Sequence, residues 1–70
     1  MSTTTLNSSV LKEASYDSTN RRLVLTFNSG VIYTYDDVGE NIYRGLITAD
    51  SAGRFFGMNI SGKFTTTRNS

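Results

Sequence analysis

The sequence predicts an α+β fold: a three-stranded antiparallel meander followed by one longer and one short helix packed on one face of the sheet. Three observations lead to this prediction. The chain has 70 residues, which is enough for one small domain. Two β-branched and aromatic runs separated by a short turn that ends in Gly are typical of a hairpin. Apolar residues then recur at helical spacing in the second half of the chain.

The composition excludes several classes of function. Cys and His are both absent, which removes disulfides, thiolate chemistry and the commonest zinc ligands. The 6 acidic residues are too scattered to indicate a carboxylate metal site, so we predict no metal, no cofactor and no enzymatic activity. A net charge of +1 is far below that of a conventional DNA-binding domain. No apolar run approaches the roughly 20 residues that span a bilayer, so we expect a cytoplasmic protein without membrane contact.

The small size of the chain favours association. A domain of this length buries only about 60–65% of the surface that its unfolded form exposes, so its core is marginal. Small domains usually supplement a marginal core with disulfides, a bound metal or association with another chain. The composition of this chain leaves only association. We therefore expect a homo-oligomer or a domain that docks onto a partner.

The ordered domain is expected to span residues 8–64. Residues 1–7 and 65–70 are rich in Ser and Thr, have little to bury, and are predicted to be flexible tails. A weak period of two predicts a first strand from Val10 to Tyr16, with Val10, Ala14 and Tyr16 facing the core and Leu11 on the opposite parity.

The hairpin is the most definite local pattern. The strands 22–27 and 31–35 flank Asn28-Ser29-Gly30, a turn in which Gly supplies a left-handed residue and a bulge. If Phe27 faces Val31, Leu25 faces Tyr33 and Leu23 faces Tyr35, with all of these side chains on one face. The other face carries Val24, Thr26, Ile32 and Thr34 and is either solvated or covered by a partner.

Two helices are predicted after the hairpin. Asp37 is expected to cap the first, with Glu40 reaching back in a capping box. Gly45 within this helix costs about 1 kcal/mol relative to Ala, which indicates close packing against the sheet or a neighbour. Ser51 is expected to cap the second, shorter helix. The apolar stripe consists of Val38, Ile42, Tyr43, Leu46, Ile47 and Ala49 in the first helix, and of Phe55, Phe56 and Ile60 in the second.

The order of these elements along the chain resembles that of the KTSC domain. This small module occurs at the C-terminus of some lysyl-tRNA synthetases and as a stand-alone protein in bacteria and phages. The matching elements are Ser8-Ser9, Tyr16-Asp17, Leu23-x-Leu25-x-Phe27, Ser29-Gly30, Tyr33-x-Tyr35, Val38, Tyr43, Leu46, Ala49, Ser51-x-Gly53, Phe56, Ile60 and Phe64.

The resemblance implies an RNA-binding role, because the module is attached to a synthetase. The chain departs from the family pattern at three positions. Gly39 stands where the family tends to have Pro, Gly57 where it tends to have Asn, and Ser61 where it tends to have a basic residue. The last departure weakens any phosphate contact at Ser61.

The best candidate for an anion site is Ser51-Ala52-Gly53-Arg54. A helix start offers unpaired amides and the positive end of the helix dipole. Ser51 would add a hydroxyl, Gly53 would allow close approach, and Arg54 would pair with phosphate oxygens. The structural alternative is a simple helix cap with a surface arginine.

Aromatic and basic side chains complete the candidate set. Tyr33 and Tyr35 would either pack in the core or form a platform on which bases stack, with Tyr35 the more exposed ring. Arg44 and Lys63 would join Arg54 in a phosphate pocket if the fold brings them together, and would otherwise be solvated surface residues.

Two functions follow from these observations. The first is a non-catalytic module that binds a phosphate-bearing ligand, either RNA or a nucleotide. If the ligand is a small nucleotide, a stand-alone protein could sequester it as a signal in a homo-oligomeric pocket. The second is a protein-interaction or assembly module without a nucleotide ligand.

Overall fold

The architecture is one antiparallel sheet with two helices on one face. The computed structural model describes residues 2–69. The strands lie side by side in the order β1-β2-β3-β4-β5, and all neighbours are antiparallel. The elements are β1 (Ser2–Thr5), β2 (Leu11–Asp17), β3 (Arg22–Phe27), β4 (Ile32–Tyr35), α1 (Glu40–Thr48), α2 (Ala52–Asn59) and β5 (Thr66–Arg68). The predicted α+β class is confirmed.

The sheet has five strands rather than the three predicted. The additional strands, β1 and β5, lie in the two end segments that were expected to be tails. Met1 and Ser70, the outermost residues of those segments, fall outside the described residues. They form the two edges of the sheet, and the Thr4 hydroxyl joins β1 to α1 through the Tyr43 hydroxyl at 2.7 Å. The preference of Thr for extended backbone favours strands at both ends, but neither segment shows the apolar alternation that would have revealed them.

The central hairpin has the predicted register. Leu25 lies opposite Tyr33, and Leu23 lies opposite Tyr35. Gly30 has a φ of +96°, the left-handed conformation that the turn requires and that Gly adopts without steric cost. The register therefore directs Leu23, Leu25 and Tyr35 into the core, where each is buried.

A bulge in β2 overturns one expectation. Leu11 lies opposite Phe27, but Glu13 lies opposite Thr26, so β2 uses one residue more than β3 over this stretch. The extra residue reverses the side-chain parity at the start of the strand. Leu11 is consequently fully buried, whereas Val10, which was predicted to face the core, is 44% exposed.

The start of α1 also differs from the prediction. The helix begins at Glu40 after Gly39, which has extended backbone and no side-chain cap, so Asp37 does not form the expected capping box. Asp37 instead has a φ of 59° and lies 3.2 Å from Arg21 in an exposed ion pair. The left-handed backbone of Asp37 turns the chain before the helix can begin.

The predicted cap of α2 and the close packing at Gly45 are both confirmed. The Ser51 hydroxyl accepts a hydrogen bond from the Arg54 amide at 3.3 Å. A methyl group built on Gly45 would lie 2.5 Å from Cζ of Phe55. The absence of a side chain at Gly45 therefore lets the ring of Phe55 lie directly against the backbone of α1.

The core lies between the sheet and the helices. Phe56 of α2 makes edge contacts with Phe27 and Tyr35, at 5.4 Å and 6.0 Å between ring centroids, and Tyr16 stacks on Tyr43 of α1 at 5.3 Å. The opposite face of the sheet, with Val24, Thr26, Ile32 and Thr34, is only half-buried. The buried apolar residues are Leu11, Ala14, Tyr16, Leu23, Leu25, Tyr35, Val38, Tyr43, Leu46, Ala52 and Ile60.

Candidate ligand groove at the start of helix α2

An open groove runs from the end of α1 along α2. Its volume is about 260 Å³, just below the range of about 300–1,000 Å³ that is common for small-molecule clefts. The groove is therefore large enough for one small ligand rather than for an extended chain. The residues that line it are Ala49, Asp50, Ser51, Arg54, Phe55, Met58 and Asn59.

Aromatic and thioether side chains make the groove largely apolar. The far edge of the Phe55 ring rests on Gly45, which holds the ring between the two helices. Met58, the last residue but one of α2, is 65% exposed and is the most exposed of the large apolar side chains in residues 2–69. Exposed apolar surface of this kind in a concave site favours contact with a ligand or a partner.

The groove also carries one negative and one positive side chain that are not paired. Asp50 and Arg54 both line it, yet neither takes part in an ion pair within the described part of the chain. Each therefore keeps its full capacity for hydrogen bonds to a ligand. Ion pairs within residues 2–69 instead join Arg21 to Asp37 at 3.2 Å, Arg22 to Asp36 at 3.2 Å and Arg44 to Glu40 at 2.7 Å.

The start of α2 offers backbone donors beside this groove. The amides of Ala52 and Gly53 precede the first intrahelical hydrogen bond, which runs from the Phe55 amide to the Ser51 carbonyl. The Arg54 amide is satisfied by the Ser51 hydroxyl. The hydroxyl hydrogen of Ser51 remains available as a donor to a ligand.

Gly53 has a packing role that the sequence did not indicate. A methyl group on Gly53 would lie 3.3 Å from Cγ2 of Val10 and 3.6 Å from Oγ of Ser8. The Ser8 hydroxyl accepts the amides of Val10 and Leu11 at 3.1 and 3.3 Å, which orders the loop before β2. Gly53 thus allows this loop to approach the start of α2 and does not line the groove.

The two tyrosines of β4 lie away from the groove, Tyr35 in the core and Tyr33 packed against it. Tyr35 is 3% exposed, so the expectation that it has the more exposed ring is wrong; Tyr33 is only half-buried. Tyr33 makes an edge contact with Phe27 at 5.7 Å. The helices cover the end of β4 at Tyr35, which is why the residue nearer the strand end is the more buried one.

The burial of Tyr35 should make the free energy of unfolding depend on pH. Burial, with a smaller contribution from the charge of Tyr33, raises the pKa of the Tyr35 hydroxyl to about 12. Between about pH 10 and pH 12 the unfolded chain ionises Tyr35 while the folded chain keeps it neutral, so the free energy of unfolding falls as pH rises. Urea unfolding across this range should show a shallower fall in Tyr35→Phe than in Tyr33→Phe. Equal slopes in the two variants would contradict this assignment.

Arg44 and Lys63 lie outside the groove lining. Arg44 is on the exposed side of α1, where its guanidinium Nε donates to Glu40 at 2.9 Å. Lys63 is exposed in the turn that follows α2. Of the side chains proposed as ligand contacts from the sequence, the fold brings Ser51 and Arg54 into one groove, and places Tyr33, Tyr35, Arg44, Gly53 and Lys63 elsewhere.

Sequence reasoning missed five of the groove residues, which are Ala49, Asp50, Phe55, Met58 and Asn59. A signal was present for Met58, because Arg54 and Met58 are four positions apart on α2, the separation at which side chains on a helix meet. Asp50 precedes α2 and has no such helical neighbour. The apolar stripes predicted from the sequence contain Ala49 and Phe55, because helical spacing alone does not distinguish a core stripe from the wall of a groove.

Two further findings concern metal binding and membrane contact. Within residues 2–69, no three acidic side chains come together in a way that would hold a metal ion. No described helix has the length and apolar character needed to cross a membrane.

Comparison with known proteins gives consistent matches. The KTSC domain family matches residues 7–64. A lysine–tRNA ligase of Trichormus variabilis is 39% identical over 56 residues, which is 80% of this chain. The chain spans only about a tenth of the length of that ligase (10%). An uncharacterized protein of Stutzerimonas stutzeri is 39% identical over 51 residues, covering 73% of this chain and 72% of the relative.

The fold has a solved counterpart. The crystal structure of a KTSC domain protein from Yersinia pestis superposes with a TM-score of 0.91 at 33% identity, covering 99% of this chain and 97% of the other. Such coverage of both chains means that the two proteins share the complete arrangement of strands and helices. The sequence match, the similar relatives and the shared architecture agree, and the chain belongs to the KTSC domain family.

Proposed function

We propose that this protein is a non-catalytic binding module for a phosphate-bearing ligand, either RNA or a nucleotide, held in the groove at the start of α2. The observation that carries the proposal is the unpaired Arg54 in a groove beside the Ser51-capped helix start. Phosphate oxygens would accept hydrogen bonds from the Arg54 guanidinium and the Ser51 hydroxyl. The positive end of the α2 dipole, at the Ser51 end of the groove, adds a favourable interaction with a phosphate there.

The charge distribution favours a compact ligand. A long nucleic acid is bound through many basic contacts, each of which adds to a salt-dependent free energy of binding. Here the net charge is +1, and the groove holds a single arginine and an aspartate. A single nucleotide, or one or two nucleotides of an RNA, suits such a site. We therefore include sequestration of a nucleotide signal by a cytoplasmic homo-oligomer in the proposal.

The relatives support RNA as the source of the phosphate. Lysine–tRNA ligases of Trichormus variabilis and Nostoc punctiforme share 39% and 38% identity with this chain over 56 residues. Their name states that they act on tRNA, so contact with tRNA is the role that we assign to the segment resembling this chain. We extend this contact to the present chain as part of the proposal.

Replacement of Arg54 tests the proposed site. We expect Arg54→Ala to weaken binding of a fluorescent single-stranded RNA on the order of tenfold, and to lower the slope of log Kd against log salt by about one, because one phosphate contact is lost. Fluorescence anisotropy at several salt concentrations measures both quantities. Arg54→Lys should recover only part of the affinity, since lysine keeps the charge but not the planar fork.

The matched control removes the same charge elsewhere. Lys12 is exposed at the bulge of β2, outside the groove. Lys12→Ala should therefore leave the salt slope almost unchanged. If both variants weaken binding equally, the effect comes from net charge, and the groove is not the site.

A protein-interaction or assembly module is the second candidate. It is favoured by Val10 and Met58, which are 44% and 65% exposed, and by the half-buried Val24 and Ile32 on the open sheet face. Buried against a partner, this apolar surface would supply the additional core that a small domain lacks. Light scattering that gives a mass above that of the 7.7 kDa monomer, with no response to any phosphate-bearing compound, would favour it.

A further inference from the structure

The groove holds two opposite charges that do not neutralise each other. Asp50 and Arg54 are four positions apart and line the same groove, yet they form no ion pair within residues 2–69. The ring of Phe55 and the side chain of Met58 line the same groove. A ligand that fits this arrangement has hydrogen-bond donors at one end, acceptors or negative charge at the other, and a flat apolar body.

We propose that the groove binds a single guanine nucleotide, with its base against Phe55 and Met58, its donor edge on Asp50 and its phosphate on Arg54. This assignment rests on the function proposed above and names the ligand of that same groove. It adds a base-recognition residue, Asp50, and a base-contact surface formed by Phe55 and Met58.

The carboxylate of Asp50 selects the base. An ionised carboxylate only accepts hydrogen bonds, and it has two oxygens side by side. Guanine presents two adjacent donors, N1–H and the N2 amino group, and can satisfy both oxygens at once. Adenine and cytosine place a ring acceptor next to their amino group, which would face the second oxygen, and uracil has a single N–H on that edge. Asp50 also repels phosphate, which directs the phosphate to the opposite, Arg54 side.

The size and surface of the groove fit one nucleotide. Its volume of about 260 Å³ is too small for several stacked bases. Aromatic side chains are a common contact for unstacked bases, and each such contact contributes to binding without selecting a base. In this arrangement affinity comes mainly from Phe55, Met58 and Arg54, and selectivity comes from Asp50.

Calorimetric titration of the full chain with GMP and AMP tests the assignment. We expect GMP to bind on the order of tenfold more tightly than AMP, the discrimination that a bidentate contact to a base provides. Asp50→Asn should remove most of this preference and leave AMP binding almost unchanged. Glu13→Gln, which neutralises a carboxylate on the sheet outside the groove, is the matched control and should retain the preference.

The methionine methyl groups report where the ligand lies. The chain has 2 methionines, so methyl-labelled protein gives a simple spectrum in which Met58 is assigned by Met58→Leu. GMP should shift the Met58 resonance through the ring current of the base. A GMP complex that leaves this resonance in place would overturn the assignment of the base to the groove.

The possible outcomes separate this inference from the proposed function. Equal binding of GMP and AMP, unaffected by Asp50→Asn but weakened by Arg54→Ala, overturns the guanine assignment and leaves the phosphate site intact. No binding of GMP, AMP or single-stranded RNA overturns both. Tighter binding of a short RNA with one unpaired guanosine than of GMP supports the assignment and identifies RNA as the source of the guanine. Tighter binding of free GMP supports it with a small nucleotide as the source.

Discussion

Leu25→Ala is expected to remove much of the stability of the domain. Leu25 is fully buried at the centre of β3, in the middle of the sheet. Truncation of a buried leucine costs about 2–5 kcal/mol, the sum of lost burial and the cavity that remains. A 70-residue domain has a total free energy of unfolding of roughly 4–10 kcal/mol. The variant should therefore unfold at far lower urea concentration, and a substantial fraction should be unfolded without denaturant.

Val24→Ala is the matched control for this prediction. Val24 is the neighbour of Leu25 on the same strand but lies on the open, half-buried face of the sheet. We expect its truncation to cost less than about 1 kcal/mol, since much of the side chain is already in contact with water. Urea unfolding followed by circular dichroism compares the two. Equal losses would mean that a partner or a second copy covers the open face, in support of the assembly function.

Gly45→Ala is expected to destabilise the protein although alanine is the better helix former. The new methyl group would lie 2.5 Å from Cζ and 2.8 Å from Cε2 of Phe55, so the ring must move. Overpacking of this kind costs about 1–3 kcal/mol. The gain in helix propensity offsets about 1 kcal/mol of this cost. A net loss of up to about 2 kcal/mol should appear in urea unfolding, together with weaker ligand binding because Phe55 lines the groove.

Gly57→Ala provides the opposite expectation within α2. A methyl group on Gly57 would meet no atom within 4 Å, so only the gain in helix propensity remains. We expect an increase in the free energy of unfolding of about 0.5–1 kcal/mol. The sign of the effect should thus differ between the two glycines.

The double variant Gly45→Ala with Phe55→Leu should recover part of the loss of stability seen in Gly45→Ala. No recovery would show that the clash with Phe55 is not the cause of that loss.

The parts of the fold that could be predicted are those with strong local periodicity or turn chemistry. The hairpin register, the cap at Ser51 and the close packing at Gly45 each depend on residues near one another in the sequence. The parts that could not be predicted depend on pairing with a distant segment. Strands β1 and β5 carry almost no apolar side chains, and their backbone hydrogen bonds to β2 and β4 define them as strands. The bulge in β2 likewise arises from pairing with β3.

The candidate site was predictable only in part for the same reason. Ser51 and Arg54 are local features of a helix start, and both line the groove. Tyr35 was a plausible ligand contact in the sequence, but α2 covers it through Phe56. Asp50 gave no local signal, since one aspartate before a helix is usually a solvated residue.

By itself, the sequence determined the α+β class, the central hairpin, the side of the sheet that packs, and membership in a family with a matching pattern over residues 7–64. These depend on alternation, turn residues and capping, which act over a few positions of the chain. Only the tertiary structure decided that the sheet has five strands, that Tyr35 of β4 lies in the core, and that Asp50, Phe55 and Met58 share a groove with Arg54. The two additional strands arise from backbone pairing with distant segments. The buried tyrosine and the groove arise from the packing of α1 against α2 and of both helices on the sheet, where close approach is set by shape rather than by local pattern.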